Sequence, residues 1–265
     1  MKLKKYRGQH LLTDKNIIRK IVRASGVTEN DNVLEIGAGT GLLTQELAST
    51  GACILSFEID RDFHEMLSNL TSLHQNLTVT YEDFLNFSLS NFLRADGRKW
   101  RVIANIPYNI TSPIIEKIIK EGRSGLKDAY LLVQKEVAQR ITAKAGQKEY
   151  GRLTVFTSFF CKASILFTVP PHVFTPPPKV DSALIRLELK EELPNVNTEL
   201  FFKIVASAFQ QRRKTIKNTL KQILPSYSTT MVENILLKAG IDPTRRGETL
   251  STFEFERVEN IISKT

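Results

Sequence analysis

The sequence predicts an α/β protein in which a parallel sheet with helices on its faces precedes a small all-α domain. Three observations carry this. Short apolar runs alternate with helical patterns over the first two-thirds of the chain, as βα units require. Only helical patterns follow residue 190. The first of those apolar runs ends in a glycine-rich turn that opens directly into a helix. With 265 residues, 42% of them hydrophobic and 25% charged, the chain is long enough to bury one large core and a smaller one.

In chain order, 32–37 (NVLEIG) reads as a buried strand and 41–49 as the helix after it. A strand over 53–60, a helix over 61–70 and a strand over 77–83 follow. The strand 99–105 leads to a helix at 112–121, then a strand at 128–134 and a helix at 136–144. The segment 152–169 contains at least one further strand, and a proline-rich loop (169–182) leads to the last strand, 183–189. Near Glu191-Glu192-Leu193-Pro194 the texture changes to helical patterns at 198–209, 210–224, 228–239 and 251–263, with Thr198 expected as an N-cap. The expected division is therefore 1–192 and 193–265.

Charge points to a polyanionic partner. Lys+Arg of 37 against Asp+Glu of 28 gives a net charge of +9. The excess is concentrated in residues 1–25 (Lys2, Lys4, Lys5, Arg7, Lys15, Arg19, Lys20 and Arg23 against Asp14) and in the segment 210–221. Such clusters attract nucleic acid. Neither adjoins a strongly apolar face, so an anionic membrane is disfavoured. No apolar run reaches the length of a membrane span, and the basic N-terminus lacks the apolar region of a signal peptide. Two cysteines, Cys53 and Cys161, suit a reduced, cytoplasmic setting. The four histidines show no metal-ligand spacing with them, and a monomer is the simplest expectation.

The turn after the first strand, LEIGAGTGLLT, places Gly37, Gly39 and Gly41 where backbone must pass close to a ligand. Glu58 ends the next strand, where a carboxylate accepts from ribose hydroxyls, with Ile59 beside it. Leu42 stands where a dinucleotide fingerprint has its third glycine. That favours a nucleoside without pyrophosphate, of which S-adenosyl-L-methionine is the common example. Asp83, at the next strand end, can accept from an adenine amine with Phe84 against the ring. A tight turn explains the glycines alone, and an N-cap explains Asp83 alone. Four consecutive strand ends carrying such groups in one open sheet are harder to explain that way, because such ends line one crevice.

The fourth end is Asn105-Ile106-Pro107-Tyr108. Methyl transfer from a sulfonium to an exocyclic amine needs acceptors that orient the amine and stabilise charge developing on nitrogen. The Asn105 side-chain oxygen and the Ile106 carbonyl, stiffened by Pro107, can do both. Tyr108 offers a face for a flipped base. The competing reading is a capped strand end, a rigid turn and a core tyrosine.

These segments resemble the KsgA-type rRNA adenine dimethyltransferases, which have a Rossmann-like S-adenosylmethionine-dependent methyltransferase sheet and a helical RNA-binding domain. The resemblance spans nearly the whole chain. It rests on GQHLLTD (8–14), LEIGAGTGLLT, FEID, EDFL, NIPYNITSPII, VPPHVFTPPPKVDSALIRL, AFQQRRKTIKNTL and GIDPTRRGETLS. It implies dimethylation of two adjacent adenosines in the terminal hairpin loop of small-subunit rRNA, during assembly of a 30S-type particle. It implies donor contacts from Gln9, His10, Leu12, Gly37, Gly39, Glu58, Ile59, Asp83, Phe84 and Asn105, and a catalytic group of Asn105, Ile106, Pro107 and Tyr108. The family's usual Gly-Gln-Asn-Phe-Leu is altered here at His10 and Leu11.

For RNA, a helix over 208–224 would carry Lys214, Lys217 and Lys221 on one face, with Arg212, Arg213, Arg245 and Arg246 as companions. Phe174 would pack over the target base, or else anchor its loop in the core. Three rivals remain. The related large-subunit rRNA methyltransferase that confers macrolide resistance shares the Asn-Ile-Pro-Tyr chemistry. A non-catalytic nucleic-acid-binding factor on this fold would not require Gly37, Gly39, Glu58, Asp83 and Asn105. A small-molecule methyltransferase would leave the basic clusters unexplained.

Overall fold

The computed structural model describes residues 10–211 and 213–265. The expectations for Gln9, Arg212, Lys2, Lys4, Lys5 and Arg7 lie outside the described residues. The chain forms two compact units. One takes the chain through Ala138 with Lys162–Leu189; the other takes Gln139–Cys161 with Lys190–Thr265.

The first unit opens with β1 (Leu11–Leu12) and α1 (Lys15–Ser25). Asp14 caps α1 by accepting from the Asn16 and Ile17 amides, and Gly26 ends it in the left-handed conformation. Then come β2 (Asn32–Ile36), α2 (Leu42–Ala48), β3 (Cys53–Phe57), α3 (His64–Leu73), β4 (Leu77–Thr80) and α4 (Leu89–Asp96). They are followed by β5 (Trp100–Asn105), α5 (Thr111–Gly122), β6 (Leu126–Gln134) and α6 (Lys135–Thr142), whose last residues belong to the second unit. After the second unit's α7 (Arg152–Phe160), β7 (Cys161–Val169), β8 (Phe174–Thr175) and β9 (Ser182–Leu189) complete the sheets.

The main sheet runs β4-β3-β2-β5-β6-β9-β7. Strands β4 to β6 are mutually parallel, as the βα alternation requires, while β9 is antiparallel to β6. The central strands read as continuous apolar runs because both faces are covered: Val33, Leu34, Val102, Ile103, Leu131 and Leu132 are fully buried. On one face Val33, Ile54, Ile103, Leu132 and Leu184 pack with Ile18 and Ile21 of α1 and Leu43 and Leu47 of α2. A separate ladder pairs β1 with β8, Leu11 opposite Thr175 and Leu12 opposite Phe174. It is extended by the Thr13 amide and hydroxyl, both donating to the Val173 carbonyl at 3.0 and 3.1 Å.

The second unit is helical: α7, α8 (Thr198–Gln210), α9 (Ile216–Ile223), α10 (Thr229–Lys238) and α11 (Thr252–Ile262). It differs from the expected 193–265 domain by recruiting 139–161. The reason is packing between segments far apart in sequence. Phe159 of α7 lies 4.7 Å from Phe201 of α8, ring to ring, and Phe156 lies 5.7 Å from Phe202. Each such pair contributes about 0.5–1.5 kcal/mol beyond its burial. The Tyr150 hydroxyl also donates to the Leu250 carbonyl at 2.7 Å. Two helix boundaries are corrected. The N-cap of α8 is Asn197, not Thr198, its side chain accepting from the Leu200 amide at 3.0 Å. The expected helix through 208–224 is broken: α8 stops at Gln210, and Thr215 caps a new helix.

Candidate active site

The four strand ends marked in the sequence converge. A cavity of about 370 Å³ opens in the first unit at the carboxyl ends of β2 to β5, lined by residues that include His10, Gly37, Gly39, Glu58, Ile59, Asp83, Phe84 and Asn105 to Tyr108. Parallel strands bring these ends to one edge, so residues as far apart in sequence as Gly37 and Tyr108 share one wall. The volume falls within the range of small-ligand pockets.

The donor side is built around Glu58, only 4% exposed. Its Oε2 accepts from the Gly39 amide at 2.7 Å, and its Oε1 from the Asp60 amide at 2.6 Å. Burial pushes this carboxyl up from its ordinary value, opposed by those amides. Each oxygen keeps a lone pair for a hydroxyl donor. Gly39 has φ +54°, and a Cβ there would come within 3.0 Å of the Leu11 side chain. Gly41 has φ +78°, and a Cβ would drive into Leu70 of α3. The loop must therefore be glycine for both conformation and space. Asp83 accepts the Leu85 amide on Oδ1 at 2.9 Å, which orients the carboxylate. Phe84, 3% exposed, meets Phe57 edge to face at 5.2 Å. A buried carboxylate on a glycine turn, a second carboxylate and an aromatic wall fit the ribose and adenine of S-adenosylmethionine.

The acceptor side is built by the turn after β5. The Asn105 side-chain amide donates from Nδ2 to the His10 carbonyl at 3.0 Å. That leaves its carbonyl oxygen as the end available to an amine. The Ile106 amide donates to the Leu132 carbonyl at 3.2 Å, and the Pro107 carbonyl takes the Ile110 amide at 3.1 Å. The Tyr108 hydroxyl pairs with the Ser182 hydroxyl at 2.6 Å, and its ring lies 5.2 Å from the His10 imidazole, tilted 36°. Burial pushes the Tyr108 phenol up, so the ring stays neutral.

Several expected residues lie elsewhere. Leu12 is 6% exposed within the core, and Leu11 lines the cavity instead. Side chains alternate along a strand, and Leu12 opposite Phe174 is the inward one. Phe174 is 2% exposed and belongs to the same core, so it anchors its loop and presents no face to a base. Asn109, Leu85 and Ile114 also line the cavity. Ile114 falls in the first turn of the helix read at 112–121; nothing local marked Leu85.

In the second unit the basic residues separate into two classes. Arg245 pairs with Glu254 at 2.5 Å and donates to the Thr249 carbonyl at 2.6 Å, a structural role. Lys217 lies 3.8 Å from Glu233, and Lys221 donates to the Pro225 and Tyr227 carbonyls at 3.1 and 2.6 Å. Arg213, Lys214 and Arg246 are exposed. The antiparallel bridge between Thr215 and Arg246, with the Ile216 amide on the Arg245 carbonyl at 2.7 Å, sets Arg246 beside the turn holding Lys214.

The family model described as ribosomal RNA adenine dimethylase matches residues 1–257. This chain belongs to that family. The resemblance read from the motifs is thereby borne out, as is the fold class. The ribosomal RNA small subunit methyltransferase A of Caldanaerobacter subterraneus subsp. tengcongensis is 46% identical over 266 residues, 99% of this chain and 98% of the relative. The protein of the same description from Enterococcus faecalis is 40% identical, over 98% of this chain and 90% of its own length. A dimethyladenosine transferase from Plasmodium falciparum superposes with a TM-score of 0.83 at 28% identity, covering 96% of this chain and 98% of its own. The 23S rRNA methyltransferase ErmE superposes with a TM-score of 0.76, also at 28% identity, covering 96% and 99%.

Proposed function

We propose that this family member methylates the N6 amines of two adjacent adenosines in the 3'-terminal hairpin loop of small-subunit rRNA, within an assembling small subunit. It is an S-adenosylmethionine-dependent rRNA adenine dimethyltransferase by family membership. Loop, particle and residue roles are our reading. The observation that carries that reading is Asn105, whose amide is pinned on its nitrogen side inside a cavity that also holds Glu58 and Asp83. The identity to small-subunit relatives, 46%, favours that rRNA over the large-subunit substrate named for ErmE.

When bound, S-adenosylmethionine supplies an electrophilic methyl group whose C–S bonding electrons remain on sulfur. Glu58 and Asp83 would hold the nucleoside, and the Gly39 amide fixes the Glu58 carboxylate. Asn105 would accept an N6 hydrogen through its oxygen, as the Ile106 carbonyl can, and so orient the nitrogen lone pair. As the new N–C bond forms, nitrogen becomes positive and these acceptors stabilise it. The extra proton then passes to solvent, and Tyr108 supports the base plane by stacking, worth about 1–3 kcal/mol. Arg213, Lys214 and Arg246 lie along phosphates. The two free cysteines suit a reduced, cytoplasmic setting, and no helix of the described residues is long and apolar enough to cross a membrane.

The test offers purified protein and labelled donor to naked small-subunit rRNA, immature small subunits and large-subunit rRNA. Two adjacent dimethyladenosines near the small-subunit 3' end are expected. Label confined to large-subunit rRNA would overturn the reading.

A further inference from the structure

His10, expected to touch the donor, lines the cavity and commits a ring nitrogen to the proline-rich loop. Its Nδ1 lies 2.7 Å from the Pro176 carbonyl oxygen. A carbonyl only accepts, so Nδ1 carries the proton. The same residue's backbone carbonyl receives the Asn105 amide at 3.0 Å, and its ring lies against Tyr108. His10 stands directly before the β1–β8 ladder, and its Nδ1 bond adds a rung beyond the Leu11–Thr175 pair. One residue thus connects the proline-rich loop to Asn105 and Tyr108 of the Asn-Ile-Pro-Tyr turn.

We propose that His10 is a positioning residue: by tethering its strand to the Pro176 carbonyl, it holds its own carbonyl where it fixes the Asn105 amide. The part played by Asn105 rests on the function proposed above; the tether does not. The chemistry makes a specific demand on residue 10. Nδ1 of histidine and Nδ2 of asparagine are both one bond beyond Cγ, so asparagine keeps the donor in place without the ring. Phenylalanine keeps the ring without the donor. Alanine keeps neither.

The experiment compares wild type with His10→Asn, His10→Phe and His10→Ala in the full chain, after thermal melts establish that each is folded. Amide hydrogen exchange over 173–182 reads the tether without substrate. Calorimetry with S-adenosylhomocysteine reads the donor site, and steady-state kinetics on small-subunit rRNA read kcat and KM. We expect His10→Phe and His10→Ala to exchange faster over 173–182 and to lose about 10²-fold in kcat, the scale of a misplacement near 1 Å. Their affinity for S-adenosylhomocysteine and KM for RNA should stay within about threefold, since a group acting in the transition state moves kcat. His10→Asn should match wild type in exchange and kcat. The tether is overturned if His10→Phe behaves as wild type and His10→Asn as alanine, which would assign the role to the ring. It is equally overturned if S-adenosylhomocysteine affinity falls while exchange is unchanged, which would make His10 a donor contact. A wild type inert on small-subunit rRNA would sink the proposed substrate, while exchange would still decide the tether.

Discussion

Asn105 and Glu58 are each held by backbone, and each therefore has one defined way to act. With Nδ2 on the His10 carbonyl at 3.0 Å, Asn105 can offer only its oxygen. Asn105→Ala should lower kcat by at least about 10²-fold, the range seen on removing one polar group aimed at developing charge. RNA affinity by filter binding should change less than about threefold; undiminished turnover would remove Asn105 from the reaction. Glu58→Gln has a different signature. Its NH2 would face either the Gly39 or the Asp60 amide, donor against donor, in a site 4% exposed. An unsatisfied buried donor costs about 1–3 kcal/mol whether or not the site is filled, so the urea midpoint should fall. Hydroxyl bonds to the lost carboxylate charge are roughly twice as strong as neutral ones, so affinity for S-adenosylhomocysteine should fall roughly 5- to 50-fold. Calorimetry showing equal affinity would mean that the carboxylate serves only the loop.

Among elements, the break between α8 and α9 decides which cations can meet RNA. Lys217 and Lys221 are engaged by Glu233 and by the Pro225 and Tyr227 carbonyls, whereas Lys214 and Arg246 are exposed beside one bridge. Lys214→Glu with Arg246→Glu should weaken binding to small-subunit rRNA and flatten its salt dependence by about 0.7–0.9 per lost phosphate contact. Lys217→Ala should leave the slope unchanged, because its ammonium lies beside Glu233 and not on a phosphate. Equal effects from both sets would refute the division. The same scale shows what was legible in the sequence. Gly37, Glu58, Asp83 and Asn105 could be grouped because strand ends in a parallel sheet follow from βα alternation. The facing of Leu11 and Leu12 could not be read, since it is set by Phe174 across a two-residue ladder. Nor could the recruitment of 139–161, which depends on Phe159 meeting Phe201 over a long sequence separation. Local pattern carries the elements and their ends; partners distant in sequence fix which side chain faces which way.

At the scale of the whole molecule, stability should carry the imprint of a carboxyl buried beneath the donor site. Glu35 of β2 is fully buried, and the Ser56 hydroxyl donates to its Oε2 at 2.7 Å. Burial pushes it up to about 7, against the pull of the Thr44 and Ser56 hydroxyls and with Glu58 adding to the rise. A carboxyl whose folded value is raised binds its proton more tightly in the folded state. Its contribution is complete below the ordinary carboxylate range and is lost as pH rises through about 7. From 4.5 to about 7 is worth about 3 kcal/mol at 1.36 kcal/mol per unit. Carboxylates held low by partners, such as Glu121 and Glu254, act below this window and leave it undisturbed. Glu35→Gln mimics the protonated form, keeping an acceptor for Ser56 and placing a donor on the other side. Urea midpoints for the wild type should therefore fall between pH 5 and pH 8.5, and the variant should lose more than half of that fall. A residual slope should persist, because Glu58 is also raised by burial. Wild-type midpoints that stay level or climb over this range would mean that Glu35 is ionised in the folded protein at neutral pH, with its charge compensated inside the sheet.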